Sequence, residues 1–91
     1  MPEKYWGVEL SKDSIKYLKK LGKSTSKRIS DKLEELESIE DPLFHKDVRP
    51  LVGKLRGFYR LRVGNLRIIF ELDRPKKRIG VHVIAPRGNA Y

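Results

Sequence analysis

Three arginines, Arg60, Arg62 and Arg67, stand close together in the run Tyr59-Arg60-Leu61-Arg62-Val63-Gly64-Asn65-Leu66-Arg67-Ile68. A guanidinium presents a planar fork of donors that matches phosphate oxygens in pairs, so this spacing suits a polyanion and the stabilisation of developing negative charge. It does not suit proton abstraction, because arginine stays charged at any physiological pH. Arg87, just past Pro86, is a fourth candidate cation. Tyr91 offers a ring on which an unpaired base can stack. Lys54, Arg56, Lys76, Lys77 and Arg78 extend the electrostatic footprint on either side. His82, flanked by Val81 and Val83, fits a structural role as well as a catalytic one, and His45 has no evident partner. Glu71 and Asp73 are the only carboxylates in the last 41 residues, too dispersed for a two-metal site. With no cysteine, there is no disulfide, zinc-thiolate site or cysteine nucleophile. No glycine-rich phosphate loop is visible. Neither a metal nor a cofactor is expected.

The arginines need a scaffold that turns them the same way. Gly64-Asn65 reads as a two-residue hairpin loop, both residues tolerating the positive φ of such turns. Val63 then pairs with Leu66, Arg62 with Arg67, Leu61 with Ile68 and Arg60 with Ile69. Leu61, Val63, Leu66, Ile68 and Phe70 share one face, and Arg60, Arg62 and Arg67 share the other. Like charges directly opposite on a sheet repel. Either an anion such as consecutive RNA phosphates bridges them, or the stems lie flat and the charged heads diverge into water.

Around this hairpin the periodicities predict the remaining elements. Trp6, Val8 and Leu10 alternate as a short strand. Ser11 is placed to cap a helix with the stripe Ile15, Leu18 and Leu21, and Gly22 to close it. Ser24-Thr25-Ser26 opens a second helix, whose stripe is Ile29, Leu33, Leu36 and Ile39 and which Asp41-Pro42 ends. Residues 41–57 read as irregular. Leu66, Ile68, Phe70 and Leu72 alternate in a strand, Asp73 to Arg78 form a polar turn, and 79–84 form the last strand. The expectation is a single α+β domain over 1–91. Its N-terminal strand and helical hairpin pack on one face of an antiparallel β-sheet, in the order β-α-α-β-β-β.

Composition narrows the partners. The 91 residues carry a formal net charge of +9. Residues 1–50 hold 11 basic and 10 acidic side chains, residues 51–91 hold 10 and 2, so the excess belongs to the C-terminal part. That asymmetry indicates a polyanion-binding surface. Charged residues reach 36%, and glutamine and cysteine are absent, a thermophile-like usage. No apolar run is long enough to span a membrane and no signal-peptide region is seen, so a soluble cytoplasmic protein is expected.

The run from Leu51-Val52-Gly53 through Tyr59-Arg60-Leu61-Arg62-Val63-Gly64 to Arg67-Ile68-Ile69-Phe70 resembles the signature of the RelE/ParE toxin superfamily. The closing Ile84-Ala85-Pro86-Arg87-Gly88-Asn89-Ala90-Tyr91 and the helical segments Ser11-Lys12-Asp13 and Tyr17-Leu18-Lys19-Lys20-Leu21 are similar to it as well. The resemblance covers nearly the whole chain. It implies a type II toxin of the RelE-like branch, which cuts mRNA in the ribosomal A site by attack of the 2′-hydroxyl on the adjacent phosphate, without metal. Carried over by position, it implies catalytic roles for Arg60, Arg62, Arg67, Arg87 and Tyr91. Lys54, Arg56, Lys76, Lys77 and Arg78, as part of the basic footprint, are expected to contact RNA or ribosome. It also implies a RelB-like, acidic antitoxin in a hetero-oligomer. Arg60 and Arg62 stand where relatives often hold lysine, and Pro86-Arg87 where many hold His-Arg, so no residue is assigned as general base. The alternatives are a ParE-like inhibitor of DNA gyrase, or a catalytically weak member that only binds its antitoxin.

Overall fold

The computed structural model describes residues 4–87. Strand β1 (Gly7–Leu10) leads into helix α1 (Lys12–Lys20). Ser11 caps α1 as expected, its Oγ accepting the Ser14 N–H at 3.1 Å. Asp13 in the first turn, and Lys19 and Lys20 in the last, complement the helix dipole. Gly22 does not close α1; Leu21 does, and the extended Gly22 instead opens α2 (Lys23–Glu37), one residue before the serine cluster. Its carbonyl accepts the Ser26 N–H at 3.0 Å.

Helix α2 ends at Glu37 and not at Asp41-Pro42, because the Ser38 hydroxyl bonds back to the Glu34 carbonyl and Glu37 is committed elsewhere. The Glu37 carbonyl accepts the N–H groups of Tyr5 and Trp6, and its Oε2 accepts that of Val8 at 3.0 Å. This nearly buried carboxylate anchors the N-terminal strand to the end of the helix.

The segment expected to be irregular contains two single 3-10 turns, Pro42–Phe44 and Gly53–Leu55, and a three-residue strand β2 (Val48–Pro50) between them. Three longer strands follow: β3 (Tyr59–Val63), β4 (Leu66–Asp73) and β5 (Arg78–Pro86). The sheet order is β1-β5-β4-β3-β2. The pairs β2–β3, β3–β4 and β4–β5 are antiparallel, but β1 runs parallel to β5, from Gly7 opposite Arg78 to Leu10 opposite Val81. The expected antiparallel sheet is therefore a five-stranded mixed one. No hairpin joins β1 to β5, so no turn forces them to run in opposite directions.

Both helices cover one face. Ile29, Leu33 and Leu36 of α2 meet Leu61, Val63, Ile68, Phe70, Ile79, Val81 and Ile84 of the sheet, with Trp6 and Val48 at the flanks. Tyr17, Leu18 and Leu21 pack against this core from α1, whereas Ile15, expected in the same stripe, is exposed. No helix among the described residues is long and apolar enough to cross a membrane.

Candidate functional site

The β3–β4 register is the one read from the sequence, with Arg62 opposite Arg67, Arg60 opposite Ile69 and Val63 opposite Leu66. The turn needs positive φ only at Gly64 (57°) and not at Asn65, the pattern of a type II′ loop. All three arginines stand on the sheet face away from the helices.

Two further arginines approach the hairpin beyond the expectation, one on this face and one from the helical side. Strand β2 sets Arg49 directly opposite Arg60, making a second cross-strand arginine pair one rung from the first. Rungs on one face are about 7 Å apart. The Arg49 Nη1 folds back on its own strand, donating to the carbonyls of Lys46 at 3.1 Å and Val48 at 2.8 Å. From the helical layer, Arg28 of α2 reaches the hairpin tip: a Cβ built on Gly64 would lie 2.6 Å from its Nη2. Sequence reasoning missed both residues, since β2 is too short to show alternation and the Arg28 contact is long-range.

Arg87 joins the same end. Its N–H donates to the Asn65 carbonyl at 2.8 Å, extending the β4–β5 pairing to the turn, so its register position is two beyond Ala85, which faces Arg67. Ile69, between Arg60 and Val83 on this open face, is only 4% exposed although it lies outside the main core. The long stems of its neighbours must cover it. Arg60 and Arg67 are half-buried on this face, while Arg62 and Arg87 keep exposed side chains available to an anion.

The other expected contacts lie elsewhere. Lys54 and Arg56 are exposed on and after the 3-10 turn before β3, at the opposite end of that strand from Gly64. Lys76, Lys77 and Arg78 cluster at the β4–β5 turn. There Lys77 Nζ stands 5.1 Å from the centroid of the buried Trp6 ring, and Arg78 pairs with Glu9 at 3.1 Å. Tyr91 lies outside the described residues. His45, expected to have no partner, has two: its Nδ1 accepts the Asp47 N–H at 3.0 Å and its Nε2 lies 2.8 Å from Glu35 Oε1. That geometry fixes the tautomer with the proton on Nε2. His82 is on the open face, 3.5 Å from Glu71 Oε2 and edge-on to Phe58.

Behind the arginine rungs, Lys32 of α2 and Asp47 form a partly buried ion pair at 2.9 Å. The hydrogen bond between them holds the Asp47 carboxyl below the usual carboxylate range and the Lys32 ammonium above the usual lysine range, against the opposing effect of burial. The Asp47 carbonyl accepts the Arg62 N–H at 3.1 Å, so this pair braces the strand that carries Arg62. Among the described residues no three His, Cys, Asp or Glu side chains gather to hold a metal ion.

Comparison with known proteins follows the same architecture. No curated protein sequence matches the chain. Among solved structures, RelE in the archaeal RelE–RelB complex from Pyrococcus horikoshii OT3 is 30% identical, with a TM-score of 0.77 over 94% of this chain and 99% of that one. The toxin of the intact E. coli RelBE toxin–antitoxin complex is 17% identical, with a TM-score of 0.70 over 92% of this chain and 99% of that one. A YoeB/ParE toxin from Agrobacterium tumefaciens is 14% identical, with a TM-score of 0.73 over 89% and 98%. These last two likenesses are of fold alone. Residues 8–91 match the family described as the ParE toxin of the type II toxin–antitoxin system, parDE, and the chain belongs to that family of toxins, within the RelE/ParE superfamily.

Proposed function

We propose that the chain is a ribosome-dependent endoribonuclease that cuts mRNA in the A site by attack of a 2′-hydroxyl on the adjacent phosphate, without a metal ion. The observation that carries this reading is the pair of arginine–arginine rungs, Arg49 opposite Arg60 and Arg62 opposite Arg67. Each sets like charges side by side at a cost to the fold that a bound phosphate backbone removes. Arg62, Arg67 and Arg87 stabilise the charge that builds on the phosphorus oxygens, and Arg60 and Arg49 hold the neighbouring phosphate. Tyr91 stacks a base, and Lys54 and Arg56, with Lys76 to Arg78, steer the chain toward RNA. The site of action is the cytoplasm, where the ribosomes are.

Purified protein added to a translation reaction is expected to leave codon-phased cuts by primer extension, which fall sharply in Arg62→Ala and Arg87→Ala. Intact mRNA with the wild-type chain would sink the proposal. One observation favours a second reading: the matching family is described as the ParE toxin, and a toxin of that branch would inhibit DNA gyrase without cutting RNA. A supercoiling assay separates the two, since the nuclease leaves gyrase turnover unchanged. In both readings the partner is an acidic antitoxin in a hetero-oligomer, matching the net charge of +9. The Pyrococcus horikoshii relative is bound to RelB in its solved structure.

A further inference from the structure

Residues 79–86 alternate in sequence as if every second side chain faced one way. The pairing shows otherwise. Val81 lies opposite Phe70 and Val83 opposite Ile69, with a register shift between Ile69 and Phe70, so His82 has no partner residue in β4. The extra residue is a β-bulge, a device that re-aims a side chain. Because of it, Val81 and Ile84 both face the core, at 2% and 4% exposure, while His82 and Val83 both stand on the open face. Ser11, at the end of the neighbouring strand β1, pins the bulge. Its N–H donates to the Val81 carbonyl at 3.0 Å and its hydroxyl to the His82 carbonyl at 2.8 Å. The imidazole is set edge-on against Phe58, with ring centroids 5.0 Å apart and planes at 81°.

The bulge falls between the Arg49–Arg60 rung and the Glu71 rung, next to the arginine face. The charged groups facing the imidazole are Glu71 from β4, 3.5 Å from Nε2, and Glu9 of β1, Asp73 and Arg78 around the same shallow depression of about 200 Å³. Arg49 and Arg60 occupy the adjacent rung. Arginine is a permanent cation, so the rungs stabilise charge but accept no proton. Imidazole is the side chain suited to that task near neutral pH.

Resting on the cleavage reading above, we infer that His82 is the proton acceptor of that reaction, positioned by the bulge, Phe58 and Ser11. The neutral imidazole takes the proton of the 2′-hydroxyl as its oxygen forms a bond to phosphorus. The bond from phosphorus to the 5′-oxygen breaks, the electron pair leaves on that oxygen, and solvent water protonates it. The products are a 2′,3′-cyclic phosphate and a 5′-hydroxyl. The imidazolium, its charge met by the Glu71 carboxylate, returns its proton to water.

The test is single-turnover cleavage of ribosome-bound mRNA from about pH 5.5 to 9 by the wild type, His82→Ala and Arg62→Ala, with thermal unfolding of each chain as the check on folding. His82→Ala is expected to slow cleavage about 10²- to 10³-fold, to lose the fall in rate toward acid pH, and to recover in part with added imidazole. Arg62→Ala slows cleavage but keeps the acid limb. If folded His82→Ala cleaves within about threefold of wild type with the same acid limb while Arg62→Ala fails, the inference is overturned and the cleavage reading stands. If the wild type makes no codon-phased cuts, both fall.

Discussion

At the scale of single residues, the arginine face sets stability against function. Arg62 opposite Arg67 is a repulsive pair, so Arg62→Glu converts it to an attractive one. We expect a gain of about 0.5–1 kcal/mol, read as a rise of about 4 °C in Tm, together with loss of mRNA cleavage. Gly64 carries a different constraint. At φ 57°, and with Arg28 Nη2 only 2.6 Å from where a Cβ would stand, Gly64→Ala should lower stability by about 1–2 kcal/mol in a denaturant titration. The flexible Arg28 swings aside, so most of that loss is backbone strain. The hairpin register was legible because a two-residue turn and a period of two together leave one pairing. The contact of Arg28 was not, because nothing local in α2 distinguishes it from the helix's other cations.

Asp47 has the clearest pH signature. Its folded carboxyl is held below the unfolded value, so its contribution is fully present above about pH 4 and is lost as pH falls through the lowered folded value. Lys32 is the mirror case: raised in the fold, it contributes fully below about pH 10 and loses that contribution as pH rises through the raised value. Asp47→Asn should therefore cost about 1 kcal/mol at pH 7 by urea unfolding, and the difference from wild type should close in strong acid.

At the scale of elements, the sequence was clearest where a period ran long. Ile29, Leu33 and Leu36 of α2 are buried as the stripe indicated, while its fourth member, Ile39, falls beyond the helix end and is half-buried; Leu36, fully buried, is a sensitive point. Leu36→Ala should cost about 3 kcal/mol by chemical denaturation, a large share of the stability of so small a domain. Strand β2 was invisible because three residues ending in Pro50 show neither periodicity nor a strand-like composition. The bulge was hidden for the opposite reason: Val81-His82-Val83 continues the alternation smoothly, and only pairing with β4 shows the slip. The N-terminal strand was expected, but its parallel run along β5 was not, since direction belongs to topology and not to composition. The helix boundaries at Gly22 and Glu37 shifted because the side-chain bonds of Ser26, Glu37 and Ser38 decide them.

At the scale of the whole molecule, a net charge of +9 with its excess beyond residue 50 predicts that the proposed association with RNA is strongly salt-dependent. If Arg62 and Arg87 each neutralise one phosphate, replacing either by alanine lowers the slope of log affinity against log salt by about 1 in an RNA-binding titration. A substitution at the β4–β5 turn, where Lys77 lies over Trp6, should change the slope less. The parallel ladder between β1 and β5 also governs when the toxin comes into being. Residues 7–10 wait for residues 78–81 before they can pair, so the sheet closes only after β5 has been synthesised. An unfinished chain lacks the bulge with His82, and Arg87 after it. Until β5 is added, β1 has no strand to join and β4 keeps an open edge, so the arginine hairpin lacks one of its flanking strands.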